Sequence, residues 1–133
     1  MSRTLIPLAA AILLTATIPV SAGPAQEGIM KHFQQQADGP FSAERGKTLF
    51  KARPASGKPE TPSCTSCHGD APIKAGKTRA GKDIAPMALS RTPDRYSDLK
   101  KVEKWFRRNC NSVIGRECTP QEKGDFLTFM ISQ

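Results

Sequence analysis

Cys64-Thr65-Ser66-Cys67-His68 is the stretch on which the fold turns. Two thiols at this spacing can form thioethers to the two vinyl groups of one haem, and the adjoining histidine is then turned under the ring to reach its iron. Two rival readings compete for the same cysteines. A thioredoxin-like redox pair wants the motif after a strand in a βαβ unit, and the chain carries no such pattern. A zinc site needs a second ligand pair, for which Cys110 and Cys118 are a poor candidate. The motif therefore implies one covalent haem c, attached through Cys64 and Cys67 and ligated by His68.

The start of the chain supports a compartment in which such a group is attached. Arg3 precedes the apolar run Leu5 to Ile18, and Val20-Ser21-Ala22 supplies small residues where signal peptidase reads them. Cleavage after Ala22 is expected, with residues 1–22 a signal peptide and 23–133 one domain. The run is shorter than the ~20 apolar residues a membrane span needs, and it contains Pro7, so stable membrane insertion is not expected. The mature protein reads as soluble and periplasmic.

Of 133 residues with a formal net charge of +8, loss of that segment removes one cation, Arg3, and no acid. The surface stays basic. Its lysines and arginines are spread along the chain without the aromatic or glycine pattern of a nucleic-acid module, which argues against nucleic acid as a partner. A basic face can instead steer the chain toward an acidic redox partner. A domain this small buries only a modest core and usually recruits a disulfide, metal or cofactor as a staple.

Outside the motif the periodicity is helical. Gln26 to Ala37 reads as a polar helix with Ile29, Met30 and Phe33 on one side, stopped by Asp38-Gly39-Pro40. Ser42 can cap a helix over Ala43 to Lys51, with Gly46 and Phe50 on one face. Ala52 to Ser63, with three prolines and a glycine, reads as loop, as does Gly69 to Met87. From a cap at Ser97, the stripe Leu99, Val102, Phe106 predicts a helix ending near Arg108, with Trp105 flanking the stripe. Thr119-Pro120-Gln121-Glu122 combines a capping box with proline at the first helical position, and opens a last helix carrying Phe126, Leu127 and Met130. The expected fold is all-α, about four helices around one haem.

This arrangement resembles class I cytochrome c. Gly46-x-x-x-Phe50 is similar to that family's first helix, whose glycine permits close crossing of the last. The thirteen residues 51–63 between Phe50 and Cys64 are a departure, longer than the few usual there. In class I cytochromes a methionine between the middle and last helices closes the iron's sixth position. Residues 108–118, Arg-Asn-Cys-Asn-Ser-Val-Ile-Gly-Arg-Glu-Cys, offer no methionine or histidine. The site is open, or filled from afar by Met87, Met130 or His32, or taken by an asparagine, Asn109 or Asn111. Cys110 and Cys118 in an oxidising compartment most simply form a disulfide. Closing the nine residues 110–118 would contribute about 2.5 kcal/mol in the chain-entropy treatment.

The segments Thr61 to Gly69, Thr92-Pro93-Asp94-Arg95, Val102-Glu103-Lys104-Trp105 and Arg108 to Arg116 resemble more closely the sphaeroides haem protein (SHP) family, over most of the mature chain. The resemblance implies that Asn109 is the distal haem ligand and that Cys110 and Cys118 are bridged. It also implies a dihaem cytochrome c as electron donor, with a membrane cytochrome b upstream. An amide is a weak neutral ligand that suits ferric iron better than the softer ferrous ion, so reduction should loosen it and open the site to O2, NO or CO. The expected function is a redox-gated, high-spin monohaem cytochrome c. The alternatives are a low-spin electron shuttle and a reductase or oxygenase acting on O2, NO or peroxide; no general acid or base is identifiable for the last.

Overall fold

The computed structural model describes residues 21–133, so the expected signal segment, residues 1–20 of it, lies outside the described residues. Five helices follow in order: α1 Pro24–Gln34, α2 Ala43–Lys51, α3 Thr65–His68, α4 Leu99–Val113 and α5 Pro120–Ile131. A two-stranded antiparallel hairpin, β1 Gly76–Lys77 with β2 Asp83–Ile84, interrupts the long loop after the haem motif. The all-α expectation holds; the helix not foreseen is α3, one turn formed by the motif itself. None of the described helices is long and apolar enough to cross a membrane.

Local chemistry sets most boundaries. Ser42 accepts the Arg45 N–H and starts α2. Thr119 and Glu122 exchange hydrogen bonds in a full capping box at α5, with Pro120 at its first position. At α4 the cap is Asp98 and not Ser97: its carboxylate accepts the Lys101 N–H at 2.9 Å, and an acid there also favours the helix dipole. Ser97 turns the other way, donating to the Asp94 carbonyl.

The core is a chain of edge and tilted aromatics. Phe33 of α1 meets Phe106 of α4, Phe106 meets Phe126 of α5 at 5.5 Å, and Phe126 and Phe129 both meet Phe50 of α2. Four helices are thus sewn together by five rings. Where α2 crosses α5, Gly46 leaves no room for a side chain: a Cβ there would overlap the Asp125 carbonyl and come within 2.9 Å of Phe129 Cβ. The glycine lets the two backbones touch, as the resemblance to class I cytochromes implied.

An ion pair holds the same crossing. Asp125, 4% exposed, accepts from Arg45 Nε and Nη2 at 2.7 and 2.8 Å, from the Ser42 N–H at 2.7 Å and from the Gln121 amide at 3.1 Å. Burial alone would raise its pKa, but Arg45, Ser42 and Gln121 outweigh it and hold the carboxyl below its ordinary value. A depressed pKa contributes stability that is present above the unfolded value, about 3.9, and lost as pH falls through the folded one. Asp125→Asn is expected to cost about 2 kcal/mol at neutral pH, a deficit that shrinks below about pH 4. Urea unfolding of both proteins at the two pH values measures it; an equal deficit at both would remove the charge from the account.

Candidate haem site

Cys64, the residue before α3, leads into the single turn Thr65–His68, which Ser63 stabilises by accepting the Thr65 N–H and hydroxyl. The turn presents both thiols and the imidazole from one short element. Cys64 and Cys67 are free, half-buried thiols. Cys64 packs against the aromatic core cluster, where burial raises the pKa of its thiol to about 11. No group of three His, Cys, Asp or Glu is placed to hold a bare metal ion among the described residues.

His68 fits a haem ligand better than a solvated side chain. Burial, with Arg95 adding a smaller effect of the same sign, lowers its pKa, which favours the neutral imidazole that binds metals. Its Nδ1 is buried with no hydrogen-bond partner, and a buried polar atom of that kind asks for an explanation. With Nδ1 engaged by nothing in the protein, the ring is left available to a prosthetic group. The hairpin lies directly against this turn: a Cβ at Gly76 would overlap the Cys67 carbonyl and approach His68 Cα at 2.8 Å.

Beyond the hairpin, the chain is tied down by its backbone. Met87 and Ala88 donate to the Pro72 carbonyl, and the Tyr96 hydroxyl donates to the Met87 carbonyl at 2.8 Å. Tyr96 itself holds φ +61°, a left-handed backbone rare for a bulky residue. Arg95 spends its guanidinium on the Ala85 and Pro86 carbonyls. Carbonyl groups fold back on a guanidinium without any local signature in the sequence. Gln26, buried in α1, similarly donates to the Pro93 and Arg95 carbonyls and anchors the polar first helix.

The opposite side of the site departs from expectation. α4 does not end near Arg108 but continues to Val113, because Val102, Phe106, Cys110 and Val113 extend the buried stripe. Asn109 is therefore inside the helix and exposed, not in the connection that follows. Cys110 and Cys118 are bridged, eight residues apart in sequence. The unusually long loop before the motif accounts for the extra turn. Lys58 N–H and Thr61 Oγ1 both donate to the Ser112 carbonyl, at 2.7 and 3.0 Å, and Ser56 Oγ donates to that of Ile114. These carbonyls would otherwise be the unpaired ones at a helix end. Thr61 and Ser112 also join hydroxyl to hydroxyl at 2.7 Å. A residue three before Cys64 is thus clasped to a residue three after Asn109.

The competing donors sit elsewhere. Met130 is fully buried at 0% exposure and Met87 at 9%, both in the core cluster. His32 packs its ring against Phe33 and meets the Gln36 amide at 3.2 Å. Asn111 is exposed and donates to the Arg107 carbonyl one turn back.

The family described as "Domain of unknown function (DUF1924)" matches residues 36–130. The cytochrome c-type protein SHP of Cereibacter sphaeroides is 52% identical over 120 residues, 86% of this chain and 93% of that protein. The chain belongs to the SHP family. A solved structure of oxidised SHP, described as an oxygen binding cytochrome c, matches with a TM-score of 0.79 at 52% identity, covering 81% of this chain and 96% of that one. Cytochrome c'' of Methylophilus methylotrophus is more distant, 33% identical over 89 residues, 66% of this chain and 62% of that protein. Its oxidised crystal structure matches with a TM-score of 0.67 at 28% identity, over 82% and 94% of the two chains. Both relatives are c-type cytochromes, and this SHP-family chain is likewise a monohaem c-type cytochrome carrying haem c.

Proposed function

We propose that this is an exported, periplasmic haem protein, cleaved near Ala22, whose iron binds a diatomic gas only after it has been reduced. Cys64 and Cys67 would hold the haem by thioethers, with His68 as a ligand to its iron and Asn109 as a second ligand in the ferric state. A bound haem would take up a single electron from the donor and, once the amide leaves, would offer an open coordination position to O2, NO or CO. The chain's residues do the rest. The short turn 64–68 sets the proximal imidazole, while α4 holds Asn109 in place across from it through the Cys110–Cys118 bridge and the Ser112 clasp.

The observation that carries this reading is the distribution of donors. Asn109 is exposed on α4, while both methionines that could replace it are packed in the core. The relative SHP, described as oxygen binding, supports gas binding as the outcome. A neutral amide holds ferric iron weakly and ferrous iron more weakly still, so arrival of an electron would favour departure of the Asn109 amide. The electron donor is proposed to be a dihaem cytochrome c, reached by a surface whose net charge is positive.

Absorption spectra of the holoprotein in both redox states, with and without CO, test the proposal. A high-spin ferric spectrum and prompt CO binding on reduction are expected. A low-spin ferric spectrum with a ferrous form that ignores CO would identify a plain electron shuttle instead.

A further inference from the structure

Helix α4 carries its charges where a helix favours them least. Lys100, Lys101, Lys104, Arg107 and Arg108, five of the chain's 20 lysines and arginines, fall between residues 100 and 108. Lys100 and Lys101 stand in the first turn, at the positive end of the helix dipole, while the last turn has no cation. Lys104 has a like charge four residues away on either side, in Lys100 and Arg108, an arrangement that weakens an isolated helix. Nearby acids do not relieve it. Glu103 is taken by Lys123 at 2.6 Å, and Asp98 caps the helix through the Lys101 N–H. All five cations are exposed, and none is in an ion pair among the described residues. Local stability does not account for them. A solvated face needs charge, but of either sign.

Nor does a solvated face need an indole. Trp105 sits among these cations at 44% exposure, with the Arg108 guanidinium 5.5 Å from its ring centroid. Lys101, Lys104, Trp105 and Arg108 follow the i, i+3, i+4, i+7 spacing that shares one face of a helix. Beside them an open groove of about 460 Å³ runs between Asp98, Lys100, Lys101, Lys104, Trp105 and Arg107. Tryptophan and arginine are the side chains that most often anchor protein interfaces, and uncompensated charge around such an anchor selects a partner of opposite sign.

Resting on the reading of the chain as an acceptor of electrons from another protein, we propose that the outer face of α4 is where that protein docks, through a carboxylate-rich patch. The cations steer the encounter and the Trp105 indole is its apolar anchor. A second copy of this chain does not fit, because it would bring the same charge to the same face. On its inner face α4 contributes Val102, Phe106 and Cys110 to the core cluster against which Cys64 packs. A protein docked outside is thus one helix width, about 10–12 Å, from that cluster.

Stopped-flow reduction of the ferric holoprotein by an acidic plant-type ferredoxin, a one-electron donor of low potential, tests the surface. In the parent the second-order rate constant should fall steeply as salt is raised. Combining Lys101→Gln, Lys104→Gln and Arg108→Gln should lower it about tenfold at low salt and flatten the salt dependence. Glutamine is as good a helix former as the residues it replaces, and repulsion is relieved, so Tm of this variant should equal or exceed that of the parent. Lys31→Gln, Lys51→Gln and Arg53→Gln together remove the same charge from exposed positions elsewhere and should leave the rate near the parent's. Trp105→Ala should raise the half-saturating ferredoxin concentration severalfold. Equal slowing in the two triple variants would assign the effect to net charge and overturn the proposal, as would an unslowed α4 variant. Loss of binding to phosphatidylglycerol vesicles by an α4 variant whose ferredoxin rate is intact would give the face to a membrane and overturn it too. A parent that dithionite reduces and ferredoxin does not would remove the acceptor reading itself, and this surface with it.

Discussion

Asn109→Ala is expected to keep its haem and lose its ferric sixth ligand. The thioethers at Cys64 and Cys67 and the His68 side are untouched, so haem content per chain should equal that of the parent. On the proposed assignment the ferric spectrum should shift, because the ligand removed would be the one held in the ferric and not in the ferrous state. External ligands report the size of the effect. In the parent, azide or imidazole must first displace the amide, and its apparent affinity is reduced by the fraction of sites already open. If the amide holds the ferric site by about 1.4 kcal/mol, removing it tightens exogenous binding about tenfold. Titration of the two ferric proteins measures this directly. A ferric spectrum that does not move would take Asn109 out of the iron's coordination and return Met87, His32 and Asn111 to consideration.

The second large effect concerns the fold. In an isolated helix, alanine is more favourable than glycine by about 1 kcal/mol. At Gly46 the sign should reverse, because the added methyl would overlap the Asp125 carbonyl and press on Phe129 Cβ. Relieving that contact means lifting α2 from α5, which strains the Arg45–Asp125 pair and loosens Phe50 from Phe126 and Phe129. Overpacking of this kind costs about 3 kcal/mol. In a domain of this size that lowers Tm by roughly 12 °C or more. Thermal melts of the Gly46→Ala holoprotein against the parent measure it, and an unchanged or higher Tm would show that the helices do not cross at this residue.

These two residues also mark where the sequence was informative and where it fell silent. The motif at 64–68, the cap at Ser42 with α2 at its stated bounds, the capping box at Thr119 and the close crossing at Gly46 are all encoded by short-range patterns of residue type. The end of α4 is not. Cys110 and Val113 continue the stripe of Val102 and Phe106, but between them lie Asn111 and Ser112, poor helix formers, and the last carbonyls are satisfied by Lys58, Thr61 and Ser56, more than fifty residues earlier in the chain. For the same reason Asn109 was placed at a helix end and belongs inside one. Backbone carbonyls are identical at every position, so the Arg95, Gln26 and Tyr96 hydrogen bonds could not be read from residue type. Asp125 presents a milder case. Its place in α5 was legible, but its partner Arg45 lies eighty residues away, and an acid in an amphipathic helix ordinarily faces water.

The long loop before the haem motif gains a meaning from the clasp at Ser112. Hydrogen bonds between Thr61 and Ser112 span 51 residues of sequence and close residues 61–112 into a ring held without a covalent bond. The haem motif and Asn109 both lie on that ring, so the separation between them is set by the protein's own hydrogen bonds. Closing so large a loop costs conformational entropy that grows only slowly with its length. The loop before Cys64 supplies three such ties, from Ser56, Lys58 and Thr61, between the haem-motif turn and the end of α4.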